Sequence, residues 1–306
     1  MLNRKSSKSF FIVSFLIALI FSFAINKTKA ANPEQVKIVT VTVDAKNKAS
    51  LPQLERQDFL VSEKGKQQEV LSVVPASKYS PLNLAVVIQE GSPQVNSEIG
   101  ALREFVTSLP AGSQVMVNYV NGNFVQTAQG FTTDLNQATR KIHVVSTVSS
   151  MPSSPYVTLI DVMKQFNGKE IGRNQILFIS SGVDSLNSGF SPASNLYLER
   201  AIKTAQQENI SISTLFTPRI GRRGSFIGQN NLTYLAEGTG GIAFVSGTSG
   251  YVTFDAPLKQ YRQMLDNQYV ITYRSTNADK GFRSIKVTTD FSNIRVTSQK
   301  GYIAKI

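Results

Sequence analysis

Apolar and polar positions change their period twice along this chain. From Val36 the run V-K-I-V-T-V-T-V largely alternates, the pattern of a half-buried strand. Asp58 to Glu63 and Gln67 to Val74 lie on either side of Lys64-Gly65-Lys66 and predict a hairpin, and Pro75 to Pro81 reads as a linker. Leu82 to Ile88 (LNLAVVI) is then almost continuously apolar, as is Gln175 to Ser180, and such runs fit strands covered on both faces. Helical spacing is predicted over Val95–Leu109, Thr133–Val145 (capped by Thr133 or Asp134), Thr158–Phe166, Asn195–Glu208, Gln229–Glu237 and Asp255–Leu265. Asn121-Gly122 joins two strands in a second hairpin, and Ile210–Phe216 and Ile242–Val245 read as further strands. After Gln268 the pattern is strand only, over 268–275, 282–289, 294–298 and 302–304.

Strands alternating with helices predict an α/β fold with a doubly wound sheet. The few strands at either end cannot cover their own apolar faces. The economical arrangement is one β-sandwich built from both chain ends, with the α/β domain inserted between them. The expected segments are 1–30 as a leader, 31–80 and 267–306 as the two parts of the sandwich, and 81–266 as the α/β domain.

Composition changes that picture at the amino end. Arg4, Lys5 and Lys8 precede an apolar run from Phe10 to Ala24, and small residues surround Ala30. The run falls short of the ~20 residues that span a bilayer as a helix. A cleaved signal peptide is expected, with no stable membrane span in the mature chain. Cleavage after Ala30 removes Arg4, Lys5, Lys8, Lys27 and Lys29 and takes the formal charge from +12 to +7. The remaining basic residues are scattered, apart from Arg219, Arg222 and Arg223 in a basic loop, and no nucleic-acid module accompanies them, so no nucleic-acid partner is expected. The chain has no cysteine, which excludes a lipoprotein anchor, thiol catalysis and Cys-based zinc sites.

Candidate catalytic chemistry is sparse. His143, the only histidine, is placed late in a predicted helix and reads as a surface or packing residue. There is no G-x-S-x-G elbow to pair a serine with it. Gly238-Thr239-Gly240-Gly241 follows a helix and precedes a strand, so it reads as a helix stop and tight turn rather than a phosphate cradle. No enzyme activity is expected.

The order of several pieces does resemble a known family. These are Asp58-Phe59 with Gly65-Lys66, then PLNLAVVI, LPAGSQV, FTTD, NQILFISSG, NISISTLF, Ala236-Glu237-Gly238-Thr239-Gly240-Gly241, QYVITY and the closing Lys300-Gly301-Tyr302. In that order they resemble the bacterial, acidobacterial-type von Willebrand factor A-related proteins, over about 36–302. The resemblance implies an A-type domain and a metal-ion-dependent adhesion site written D-x-S-x-S after the first strand, with a later loop Thr and an Asp after the central strand. Carried over position by position, the first Asp falls on Gln89, the two serines on Gly91 and Pro93, the loop Thr near Val157 or Thr158, and the last Asp on Ser181. Hard cations such as Mg²⁺ need anionic oxygen ligands, so the site is degenerate and no metal or other cofactor is expected. Glu90, Ser92 and Asp184 lie beside the altered positions.

The expected function is that of an exported, non-catalytic module, periplasmic or extracellular, that binds a protein partner without metal. Binding would use loops at the carboxyl ends of the sheet, around Gln89, Glu90, Gly91, Ser92, Pro93, Thr158, Ser181 and Asp184. The competing expectation is a structural or assembly role in the cell envelope, with open sheet edges pairing to partners. A metal-dependent adhesin with a shifted site stands third.

Overall fold

The computed structural model describes residues 35–46, 51–91, 93–144, 152–169, 173–187, 189, 191–218, 222–245 and 253–304. The expected signal segment lies outside them. In chain order the fold runs β1 (Gln35–Ala45), β2 (Phe59–Glu63), β3 (Lys66–Pro75), α1 (Ala76–Tyr79), β4 (Asn83–Gln89), α2 (Pro93–Ser97) and α3 (Ile99–Thr107). It continues through β5 (Gln114–Asn121), β6 (Phe124–Thr132), α4 (Leu135–Arg140), α5 (Pro155–Lys164), β7 (Asn174–Ser180), α6 (Leu196–Gln207) and β8 (Ile210–Phe216). It ends with α7 (Arg222–Thr239), β9 (Ala243–Phe244), α8 (Asp255–Asp266), β10 (Gln268–Ser275), β11 (Gly281–Thr289), β12 (Ile294–Ser298) and β13 (Gly301–Ala304).

The result is a mixed α/β fold with two sheets. The six-stranded sheet has the order β6-β5-β4-β7-β8-β9, parallel except for β6, which pairs antiparallel with β5. Period-two alternation sends Leu84, Val86 and Ile88 of β4 to one face and Ala85 and Val87 to the other. The first face is covered by α3, α4 and α8 through Leu102, Ala138 and Leu258, the second by α5, α6 and α7 through Leu159, Leu198 and Leu235. Both faces are therefore dry, which is why these strands read as unbroken apolar runs. Strand order reverses direction between β4 and β7, where crossovers leave to opposite sides of the sheet.

The seven-stranded sheet draws on both chain ends, in the antiparallel order β12-β1-β10-β3-β2-β11-β13. It cannot be flat. Laid out at ~4.8 Å per strand its two edges would stand roughly 29 Å apart. Yet β12 and β13 are joined by Gln299-Lys300 alone, a link that reaches at most about 11 Å. The sheet therefore rolls until its ends meet, and β12 and β13 act as one strand that changes partner from β1 to β11. Val39, Val41, Val43, Phe59, Val61, Ile271 and Val287 fill its interior. The same inward parity carries Glu63, Ser275 and Arg283 to the end of the roll, where Arg283 pairs with Glu63 at 3.4 Å and both are buried.

Several sequence expectations need correction. The helix foreseen over 133–145 stops at Arg140, although Asp134 does cap it by accepting from Gln137 N at 2.9 Å. Beyond it, Arg103 donates to Ile142 O and Tyr119 Oη donates to His143 O, so side chains take these carbonyls in place of helical N–H groups. His143 thus lies past the helix, its ring packed 4.4 Å from that of Tyr119. The helix foreseen from Gln229 begins at Arg222, which replaces part of the supposed basic loop. The segment read as a linker contains the short helix α1, anchored by buried Ala76.

Candidate binding site at the carboxyl end of the parallel sheet

In an open α/β sheet the crevice for a ligand opens where strand order reverses, outside the carboxyl ends of the strands. Here that point lies between Gln89, last residue of β4, and Ser180, last residue of β7. Gln89 is buried, and its amide oxygen accepts three hydrogen bonds: from Ser180 Oγ at 2.7 Å, Ser181 N at 3.1 Å and Ser181 Oγ at 3.2 Å. Ser180 Oγ in turn accepts from Gly182 N at 2.9 Å. Both residues suggested by the A-type pattern, Gln89 and Ser181, do meet, and they satisfy each other.

The loop leaving β7 is pressed against α7. Gly182 has φ of +66°, and a Cβ there would fall on the carbonyl oxygen of Gly228, while a Cβ on Gly228 would fall on that of Ser181. Glycine at both positions lets two backbones touch. The carbonyl of Gly182 accepts from Tyr156 Oη at 2.7 Å and Asn231 Nδ2 at 3.1 Å, tying the loop to α5 and α7.

Asp184 is buried and saturated. Its Oδ2 accepts from Ser154 Oγ at 2.7 Å and Asn195 Nδ2 at 3.1 Å, and its Oδ1 from the main-chain N–H groups of Leu186 at 2.9 Å and Asn187 at 3.2 Å. Such bonds to an ionised carboxylate are the stronger kind. Ser154 and Asn195 are the N-cap residues of α5 and α6, so Asp184 fastens two helix starts together. Beside it, burial first and the charge of Asp184 second hold the Tyr156 phenol well above its ordinary range.

The remaining predicted residues disperse. Glu90 turns to β5, where Asn121 Nδ2 donates to it at 2.6 Å. Gly91 takes φ of +94° to start the turn into α2, which opens at Pro93, while Ser92 lies outside the described residues. Thr158 does not belong to a loop. It is buried inside α5 and its hydroxyl donates to Pro155 O at 2.9 Å, so Ser154, one turn earlier, is the residue that reaches Asp184. Sequence reasoning passed over Ser154, although a Ser before Pro is a helix-start signal.

An A-type domain would place a divalent cation here, and the donors present do not fit one. The oxygens at the two carboxylate positions belong to a neutral amide and a hydroxyl that already bond each other, and Asp184 offers a fully engaged carboxylate. Among the described residues no three His, Cys, Asp or Glu side chains come together in a way that could hold a metal.

Around this centre four large apolar side chains stand exposed on the loop rim. Phe124 at the β5–β6 hairpin is 76% exposed, Leu186 on the loop after β7 45%, Leu196 at the start of α6 77% and Phe226 in the first turns of α7 59%. Each belongs to a segment that starts or ends at the carboxyl ends of the strands.

No family model matches the sequence, and no curated protein matches it. Among solved structures the chain is similar to the von Willebrand factor domain of a type V pili tip protein from Porphyromonas gingivalis (12% identity, 61% of this chain and 95% of that one, TM-score 0.46). It is similar to an aerotolerance-related membrane protein from Bacteroides fragilis (13% identity, 60% and 98%, TM-score 0.45). It is also similar to a von Willebrand factor type A protein from Catenulispora acidiphila (10% identity, 89% and 75%, TM-score 0.43).

Proposed function

We propose that this chain is an exported, non-catalytic protein-interaction module of the von Willebrand factor A type, carried on the rolled sheet made from its two ends. It binds its partner without metal, through the loops at the carboxyl ends of the parallel strands. The observation that carries this reading is the pairing of an apolar rim with a closed polar centre. Four large side chains, Phe124, Leu186, Leu196 and Phe226, stand in solvent at one end of the sheet. Exposed apolar groups gathered at a loop face mark interaction sites in soluble proteins. Beneath them, Gln89, Ser180, Ser181 and Asp184 have their polar atoms committed to one another or to helix starts. The centre thus holds the loops in place, and contact falls to the rim.

The non-catalytic reading is supported by the same commitments. Asp184 is saturated, and His143 packs on Tyr119 with its Nδ1 2.9 Å from the carbonyl oxygen of Lys141. Export is proposed from the amino-terminal pattern alone. Among the described residues no helix is long and apolar enough to cross a membrane.

The deciding experiment immobilises the protein, residues 31–306, and compares partner retention from an envelope extract with and without EDTA. It repeats this with Phe124→Ser/Leu196→Ser. Titration calorimetry with Mg²⁺, Mn²⁺ and Ca²⁺ accompanies it. The expected result is one partner retained equally with EDTA, lost in the double variant, and no heat from any cation. Loss of the partner on chelation, or saturable cation binding, overturns the metal-free reading. Undiminished retention by the double variant overturns the rim.

A further inference from the structure

A second surface lies at the opposite end of the parallel sheet, where the rolled sheet fails to close. β12 pairs with β1 only over Val41–Ala45, and β13 then leaves to pair with β11. Among the described residues the first half of β1 therefore has β10 on one side and no strand on the other. Which groups face that gap follows from parity. Val43 N donates to Asn267 O at 3.0 Å, which extends the β1–β10 register, so odd-numbered residues turn their backbone toward β10. Val36 and Ile38 turn their N–H and C=O groups the other way. Between them and Tyr302–Ala304 runs a slot of about 490 Å³, floored by Gln206 and Gln207 at the end of α6. A hollow of about 260 Å³ shares Gln206 and Ile303 with it and is lined by Phe282. Val36 is 62% and Phe282 51% exposed.

An unpaired strand edge beside apolar side chains is the arrangement that takes up an extended peptide: main-chain groups supply affinity and alternate side chains supply selectivity. Charge narrows the occupant. Among the described residues Lys37 is the only charged one lining the slot, with its ammonium 5.4 Å from the centre of the Tyr302 ring across the gap. No carboxylate is among the described residues lining the slot, and the adjoining hollow sets Lys203 and Lys300 against Glu199, so the described lining of the two together carries three lysines to one carboxylate and favours an acidic occupant. We infer that the slot between β1 and β13 binds an extended acidic segment of a partner protein as an added strand, antiparallel to β1, with a carboxylate against Lys37 and apolar residues against Val36, Ile303 and Phe282. Antiparallel pairing to β1 is the direction with the better hydrogen bonds. This inference is independent of the loop face, because the two surfaces sit at opposite ends of the parallel sheet.

The test uses residues 31–306 and two blocked heptapeptides, one alternating valine with glutamate and one alternating valine with lysine. Binding is read by titration and by amide hydrogen exchange. The expected result is that the glutamate peptide slows exchange at Val36 and Ile38 at least tenfold and the lysine peptide does not. Lys37→Glu should reverse that preference. Ile38→Pro removes the outward N–H while sparing the β10 ladder, so it should abolish both. Phe124→Ser should leave peptide binding unchanged, which separates failure here from failure of the loop reading. The proposal is overturned if the glutamate peptide leaves those two amides unprotected, or binds Lys37→Glu as tightly as the unaltered protein. It is equally overturned if the free protein sediments as a dimer that Ile38→Pro dissociates, because the occupant is then a second copy.

Discussion

Gln89 and Ser180, the last residues of two neighbouring parallel strands, are joined by a 2.7 Å hydrogen bond in which the serine hydroxyl donates to the amide oxygen. The bond spans the point where the strand order reverses. Together with the N–H and hydroxyl of Ser181, it gives one side chain three donors to satisfy. Replacing Gln89 with Ala leaves those donors buried without a partner. The expected loss is about 1–3 kcal/mol, read as a lower urea midpoint with an unchanged slope. A change too small to measure would show that the cage contributes nothing to stability.

Two glycines of the chain should respond in opposite directions. A Cβ on Gly228 would run into the carbonyl oxygen of Ser181, a backbone atom that cannot step aside. Gly228→Ala is expected to cost roughly 1–3 kcal/mol or more, in the range of overpacking. Gly100, in α3, has nothing near the position of an added Cβ. Gly100→Ala should raise stability by about 0.5–1 kcal/mol through helix propensity. Thermal midpoints of the two variants, moving apart from the unaltered protein, would check both.

The rolled sheet contains an ion pair whose removal should depend on how it is removed. Glu63 accepts from Tyr273 Oη, Ser275 Oγ and Asn277 Nδ2, each at 2.9 Å, as well as from Arg283. Arg283→Met strands a buried carboxylate and should cost about 3–5 kcal/mol. Adding Glu63→Gln neutralises the stranded charge while keeping an acceptor for the other donors. The double variant should recover most of the loss in a denaturant titration. No recovery would mean that the charges are not coupled.

Alkaline stability should be limited by buried phenols. Burial first, and then the nearby carboxylates Asp184 and Glu63, push Tyr156 and Tyr273 well above the ordinary tyrosine value. A folded-state value above the unfolded one, near ~10, means that the stabilisation is complete below that pH and is lost as pH rises beyond it. Each such phenol can remove at most about 1.4 kcal/mol per pH unit above ~10. Tyr156→Phe should flatten the decline of the urea midpoint between roughly pH 10 and 11.5. An identical decline in the variant would show that Tyr156 does not contribute to it.

The strands were legible in the sequence because burial on both faces of the parallel sheet, or on one face of the roll, writes itself as unbroken or alternating apolar runs. Helix limits were less legible where tertiary contacts set them. The helix expected from Gln229 begins at Arg222 and runs through Gly228, whose lack of a side chain lets it pack on Ser181, and α4 is cut short by Tyr119 and Arg103, which are distant in sequence. At the candidate site, the meeting of Gln89 and Ser181 follows from the order of strands alone. The fate of Asp184 does not, because it depends on Ser154, thirty residues earlier, and on Asn195. Thr158 was misplaced because the loop before α5 ends sooner than its composition suggests.

Pro75, the last residue of β3, lies directly across from Tyr269 at the beginning of β10. Everything in 76–267, including the whole six-stranded sheet and its helices, therefore departs and returns at one rung of a ladder. From the side of the rolled sheet this is the loop of a β-hairpin. A loop whose own fold holds its two ends at strand spacing imposes almost none of the closing entropy its length would otherwise demand. The ladder therefore keeps its register across the insertion, while Lys300, paired with Glu237 at 3.1 Å, and Gln299, pressed against Gly240, fix how the inserted part leans on the sheet that carries it.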